Sequence, residues 1–150
     1  MVYGSASYTL EYLDYLIEPE DTGVQAYGTA EDNGTADAVS MNIKMDSVLI
    51  SSRITMRAPS ASYAVFYFEK GQIRVPEYWK ARSCEIIGSD GSVRRVNEPV
   101  DYEMMYEVDH AGTCILEGRT ESTVMTAQRT LRCCRLVDEI MGNVNGLQGR

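Results

Sequence analysis

Apolar positions along this chain recur with two different periods, and the changes between them mark its elements. From Tyr8 to Leu16 the residues Leu10, Leu13 and Leu16, joined by Tyr12 and Tyr15, fall at helical spacing, which predicts a short helix ending before Pro19. Gly23 to Ala30 reads as a strand, closed by the turn signal Glu31-Asp32-Asn33-Gly34. In Ala38 to Lys44 the residues Val39, Met41 and Ile43 alternate with small or polar neighbours, the pattern of a strand with one buried face. Val48 to Met56 repeats it with Val48, Ile50, Ile54 and Met56 on one side, and Met45-Asp46-Ser47 supplies a hairpin between the two.

The β pattern continues. Tyr63 to Phe68 is β-branched and aromatic, Glu69-Lys70-Gly71 makes a turn, and Gln72 to Val75 forms a further strand that Pro76 stops. Cys84 to Ile87 and Val93 to Val96 flank Gly88-Ser89-Asp90-Gly91, a strong hairpin turn. From Asp101 the period becomes helical, with Tyr102, Met105, Tyr106, Val108, Cys114 and Ile115 along one stripe up to Gly118. Thr126 caps a last helix whose apolar face is Ala127, Leu131, Cys134, Val137 and Met141 and which Gly142 ends, leaving a polar tail from Asn143 to Arg150. The pattern predicts one domain over residues 1–150 of class α+β. Its sheet is open, mostly antiparallel and six- to seven-stranded, with helices packed on one face.

Composition narrows the partners. The 150 residues carry 14 basic against 22 acidic side chains, a net charge of −8. No Lys/Arg stripe is available for a phosphate backbone, and the same acidity disfavours an anionic membrane surface, so neither nucleic acid nor membrane is expected. No run approaches the length of a membrane span, and the first residues lack the basic and apolar segments of a signal peptide. The four cysteines, Cys84, Cys114, Cys133 and Cys134, show no CxxC spacing. Reduced, mostly buried thiols and a cytoplasmic setting follow.

Most familiar chemistry is missing. Neither GxGxxG nor GxxxxGK[ST] occurs, so the chain is not expected to bind a dinucleotide in the Rossmann manner. His110 is the one histidine. Glu107-x-x-His110 has the spacing of a bridged-metal motif, but such sites need a second histidine and further glutamates, so a solvated acidic helix face is the reading and no metal is assigned. Without a GxSxG elbow, Ser-His-Asp or Cys-His catalysis finds no support. The aromatics Tyr63 to Tyr67, with Tyr78 and Trp79, fit sheet packing or an interface better than a sugar-stacking wall. Tyr8 stands at the predicted start of a helix, where free N–H groups and the helix dipole help lower a phenol pKa; it reads either as an ordinary partly buried tyrosine or as the candidate catalytic proton donor to a carbonyl or alkoxide.

Four segments in order resemble the C-terminal half of the glucose–fructose oxidoreductase/inositol dehydrogenase/rhizopine-catabolism (Gfo/Idh/MocA) family. Gly4-Ser5-Ala6-Ser7-Tyr8-Thr9-Leu10 is similar to that family's D-x-G-x-[HY] before a helix. Ala64 to Val75 resembles its strand–turn–strand, with Pro76-Glu77-Tyr78-Trp79 as the element after it. Tyr102 to Ser122 is similar to its helix ending in a glycine, and Thr130 to Ile140 to its closing helix. The nearest likeness is to the dihydrodiol and xylose dehydrogenase branch, where tyrosine can replace histidine.

The resemblance implies an open mixed sheet with helices on one side and Tyr8 at the catalytic His/Tyr position. It further implies a homo-oligomer paired through the sheet face. The domain would then bind and orient a sugar, polyol or dihydrodiol in an NAD(P)-dependent oxidoreductase. NAD or NADP would be held by the intact parent protein, with none bound by this chain alone. Two positions depart from the pattern: Gly4 stands for the family's aspartate, and Ala6 for its glycine. A non-catalytic, ligand-sensing relative, or an unrelated α+β binding module, are the alternative readings.

Overall fold

A computed structural model describes residues 2–31 and 35–146. The elements follow in the order α1 (Val2–Ile17), β1 (Thr22–Ala30), β2 (Ala36–Met45), β3 (Val48–Thr55), β4 (Tyr63–Phe68), β5 (Gly71–Pro76), β6 (Ser83–Gly88), β7 (Val93–Asn97), α2 (Met105–Leu116) and α3 (Ala127–Gly146). The α+β class and seven antiparallel strands agree with the sequence reading. The strands form two open sheets, β1-β2-β3 and β4-β5-β6-β7, where the pattern suggested one. Residues divide into two compact units, Met1–Pro59 with Arg119–Arg150, and Ser60–Gly118. Alternation along a strand shows that it has a buried face, but not which strands share a sheet.

In the first unit β2 is the central strand. Val39, Met41, Ile43 and Met45 are at most 2 % exposed, while Ser40, Asn42 and Lys44 between them face solvent. Each such side chain contributes about 1.5–3 kcal/mol by leaving water. Helices α1 and α3 cover this face: Ala6, Leu10 and Leu13 come from α1, and Cys133, Leu136, Val137, Ile140 and Val144 from α3. At Gly28 the approach is closest, since a Cβ there would lie 2.8 Å from the Ala38 carbonyl oxygen and 2.9 Å from Val144 Cγ2.

Four expectations in this unit are corrected. Helix α1 starts at Val2, about two turns earlier than the apolar spacing suggested, because buried Ala6 extends its packed face. The buried stripe of α3 is Cys133-Leu136-Val137-Ile140-Val144, whereas Leu131 and Cys134 are exposed. Nor does Gly142 end α3, which runs to Gly146 and places Val144 on Gly28. In β3, Ile50 and Ile54 lie opposite Ile43 and Val39 as expected, but Val48 is 42 % and Met56 72 % exposed. The residues Asp32, Asn33 and Gly34 of the first turn and the last four of the tail lie outside the described residues.

Helix α1 stops at Glu18, which takes a left-handed φ of 52° just before Pro19. A two-residue turn, Asp46-Ser47, joins β2 to β3; Asp46 also has φ 52°, a conformation aspartate tolerates better than most residues. The Asp46 carboxylate accepts the backbone N–H groups of Glu20 at 3.2 Å and Asp21 at 2.9 Å, tying the hairpin to the segment after α1.

The second unit is a meander, β4 to β7, followed by α2. Gly71 has φ 148°, and a Cβ there would lie 2.2 Å from the Ile87 carbonyl oxygen, so only glycine fits the β4–β5 turn. The β6–β7 turn closes through Gly91 at φ 83° and Asp90, whose Oδ1 accepts the Ser92 N–H at 2.9 Å. By register Phe66, Ile73, Val75, Ile86 and Val96 share one side of the sheet. Of the apolar residues from 60 to 118 only Val75 and Cys114 are buried. The stripe expected to bury α2 is thereby corrected: Tyr102, Met105, Tyr106, Val108 and Ile115 are 41–76 % exposed.

Candidate functional site

Helix α1 presents two faces of opposite character. Inward it sends Ala6, Leu10, Leu13 and Asp14; outward, at intervals of four and three residues, it sends Tyr8, Tyr12 and Tyr15. Tyr8 is 60 % and Tyr15 52 % exposed, and Tyr12 is half-buried. The candidate acid is therefore accessible, but its setting differs from the sequence expectation. Tyr8 lies in the middle of α1, beyond the first four residues whose N–H groups lack partners, and not at the helix start. Its side chain has no hydrogen-bond partner among the described residues.

Behind this face lies a charge cluster that the sequence reading missed. Asp14 is fully buried, and Arg132 donates to both its oxygens, from Nε to Oδ1 and from Nη2 to Oδ2, the latter at 3.0 Å. Arg129 stands 3.9 Å away on the same carboxylate, reaches Glu18 with Nη2, and lies 5.3 Å over the Tyr15 ring. A carboxylate taken out of water must be compensated by cations and hydrogen bonds, and two guanidinium groups from α3 do so. The bond to Asp14 raises the Arg132 pKa. Burial pushes the neighbouring Cys133 thiol up to about 12, helped by the negative charges of Asp14 and Glu11. Burial likewise raises the Glu11 carboxyl. The signal was present in sequence, since Asp14 falls on the same face as Leu10 and Leu13, and Arg129 and Arg132 sit one turn apart.

The other candidates disperse. Glu103 is engaged by Arg82 at 2.6 Å and Lys80 at 3.3 Å, and His110 Nε2 lies 3.6 Å from Cys114 Sγ. No group of three or more metal-ligating side chains occurs among the described residues. Tyr78 and Trp79 meet edge to face at 5.7 Å, and Arg74 lies 5.1 Å over Tyr63. These rings make local packing contacts, while Tyr67 is 79 % exposed. Cys114 and Cys133 are buried, Cys84 is intermediate, and Cys134 is exposed. No helix among the described residues is long and apolar enough to cross a membrane.

The described residues do not fit a nicotinamide dinucleotide. A pyrophosphate cradle is a glycine-rich turn leading from a strand into a helix N-terminus. The left-handed glycines here, Gly71, Gly91 and Gly118, serve two hairpin turns and the end of α2.

No family model matches the sequence, and no curated protein matches it either. Solved structures do match in fold. UDP-N-acetylglucosamine 3-dehydrogenase GnnA from Acidithiobacillus ferrooxidans superposes with a TM-score of 0.77 at 14 % identity, over 93 % of this chain and 46 % of that one. The aldose-aldose oxidoreductase of Caulobacter crescentus gives 0.76 at 18 %, over 96 % and 44 %. A dehydrogenase (MviM) of Clostridium difficile gives 0.76 at 14 %, over 93 % and 46 %. The chain spans about half the length of the proteins it matches. The likeness is one of fold: the chain shares its α+β architecture with part of each of these oxidoreductases.

Proposed function

We propose that this chain is the substrate-binding and subunit-pairing domain of an NAD(P)-dependent oxidoreductase acting on a sugar, polyol or dihydrodiol. The observation that carries the reading is the outward tyrosine face of α1. It presents an accessible phenol at the position the family resemblance assigns to the catalytic acid, on a fold shared with sugar oxidoreductases. NAD or NADP would be bound by a nucleotide-binding half beyond these residues and would supply the hydride acceptor. The chain's own share is to offer the Tyr8 hydroxyl to the reacting oxygen and to hold α1 in place through Asp14, Arg129 and Arg132. Proton transfer by a positioned side chain contributes about 10²–10⁴-fold to rate. Pairing of two copies would use the four-stranded sheet, whose apolar side (Phe66, Ile73, Ile86, Val96) is only partly covered.

One observation favours a second reading, a non-catalytic ligand-sensing relative. Gly4 replaces the family's aspartate, and Tyr8 has no side-chain partner among the described residues to orient it. The two readings separate in the protein joined to its nucleotide-binding half. Tyr8→Phe is expected to lower kcat about 10²–10⁴-fold with little change in KM. An unchanged kcat would remove Tyr8 from the chemistry and leave the sensing role.

A further inference from the structure

Helix α2 turns its apolar stripe to solvent. At about 100° per residue, Met105, Val108, Gly112, Ile115 and Leu116, with Met104 just before them, fall within one third of its circumference. Cys114, the helix's one buried residue, lies on the other side. Val108 is 66 %, Ile115 76 % and Leu116 90 % exposed, and Met104 and Met105 are exposed as well. None of β4 to β7, the strands of the same unit, comes close to the α2 backbone. Gly112 makes a notch in the middle of the stripe, where a Cβ would meet nothing within 4 Å. A contiguous apolar surface of this kind on one helix marks an interaction site, whereas single exposed apolar residues do not.

We propose that this stripe pairs with the same stripe of a second copy of the chain, as an antiparallel α2–α2 contact distinct from pairing through the four-stranded sheet. The stripe is complementary to itself. A two-fold axis near His110 sets Val108 over the partner's Gly112, Met105 against the partner's Ile115 and Met104 against the partner's Leu116, and symmetry repeats each contact. A protruding side chain thus meets the notch twice. The same register keeps like charges apart, since Asp109 comes opposite the partner's Ala111 and Glu107 opposite the partner's Thr113. Antiparallel packing also sets the two helix dipoles head to tail. The five apolar side chains offer on the order of 500 Å² per copy. Two copies therefore bury about 1,000 Å², which reaches the threshold of a specific but reversible interface. A lipid surface fits less well. Helix α2 has no lysine or arginine and carries Glu107 and Asp109, so anionic headgroups would repel it.

Sedimentation equilibrium of the 150-residue chain tests this. The 16.8 kDa chain is expected to self-associate reversibly, with a dissociation constant in the micromolar range. A Val108→Glu/Ile115→Glu variant should weaken that association at least tenfold at an unchanged melting temperature, because both side chains are exposed in the single copy. Tyr106→Glu, equally exposed on α2 but outside the stripe, should leave it as it was. Association that survives the double substitution would overturn the α2 contact while leaving pairing through the sheet intact. Equal weakening by Tyr106→Glu would overturn it as well, since charge alone would then explain the effect. A chain that stays monomeric at high concentration would overturn it and leave the stripe to a different protein surface, without bearing on the role of Tyr8.

Discussion

Replacing Asp14 by Asn removes one charge from a cluster whose carboxylate is fully buried. The amide keeps the shape of the carboxylate, but Arg132 and Arg129 then face a neutral group with side chains only 22 % and 14 % exposed. Breaking a buried ion pair by removing one partner costs about 3–5 kcal/mol. The remaining exposure of the guanidinium groups lets water compensate part of this, which brings the expectation to about 2–3 kcal/mol. Urea unfolding followed by far-ultraviolet circular dichroism reads the change directly. With m near 1–3 kcal/mol/M for a small protein, the midpoint should fall by about 0.7–3 M at unchanged m. A cycle with Arg132→Met should give a coupling free energy of about 1–3 kcal/mol. A loss below about 1 kcal/mol for Asp14→Asn, or a coupling within about 0.3 kcal/mol of zero, would refute the assignment of Asp14 as the anchor between α1 and α3.

Two further predictions concern the same unit. Gly28→Ala should destabilise by about 1–3 kcal/mol in the same assay, because the new methyl must displace either the Ala38 carbonyl or Val144; an unchanged midpoint would mean that α3 can lift off β1 freely. Exposed Cys134 should react with a thiol reagent at pH 8, whereas Cys133, buried and with a pKa pushed up to about 12, should stay unmodified until the chain unfolds. Mass spectrometry of the labelled peptides decides this, and equal labelling of both would contradict the packing of α3.

Strand positions were legible in the sequence because alternation reports burial locally. Val39, Met41 and Ile43 needed no knowledge of their neighbours to be placed inward. Helix faces were less legible for a definite reason. In α3 the series Leu131-Cys134-Val137-Met141 and Cys133-Leu136-Val137-Ile140-Val144 both satisfy helical spacing, and only the position of β1 decides between them. Gly142 looked like a terminus because glycine disfavours a helix by about 1 kcal/mol; burial of Val144 against Gly28 outweighs that. For the site, Tyr8 was identified from the family resemblance, but its place within the helix was not. Residues Val2 to Ser7 lack apolar periodicity, and it is tertiary packing of Ala6 that makes them helical. The Asp14 cluster was half legible: helical spacing puts Asp14 on the face of Leu10 and Leu13, but nothing local names its partner, which lies 118 residues away.

That separation has a consequence for the order in which the molecule can be made. Helix α1 leaves the ribosome before α3, yet the surface against which Asp14 and Leu10 are buried is completed by α3, more than 100 residues later. The hairpins β4 to β7 emerge between them and need only near neighbours to pair. During synthesis the first helix therefore waits, with an aspartate on its apolar side, for guanidinium groups not yet translated. Non-local closure of this kind is slow relative to local pairing and leaves partly formed core exposed. A nascent chain arrested before Thr126 would hold its three-stranded sheet without half of its cover. Its survival at that stage would depend on whatever shields Val24, Met41 and Ile43 until α3 arrives.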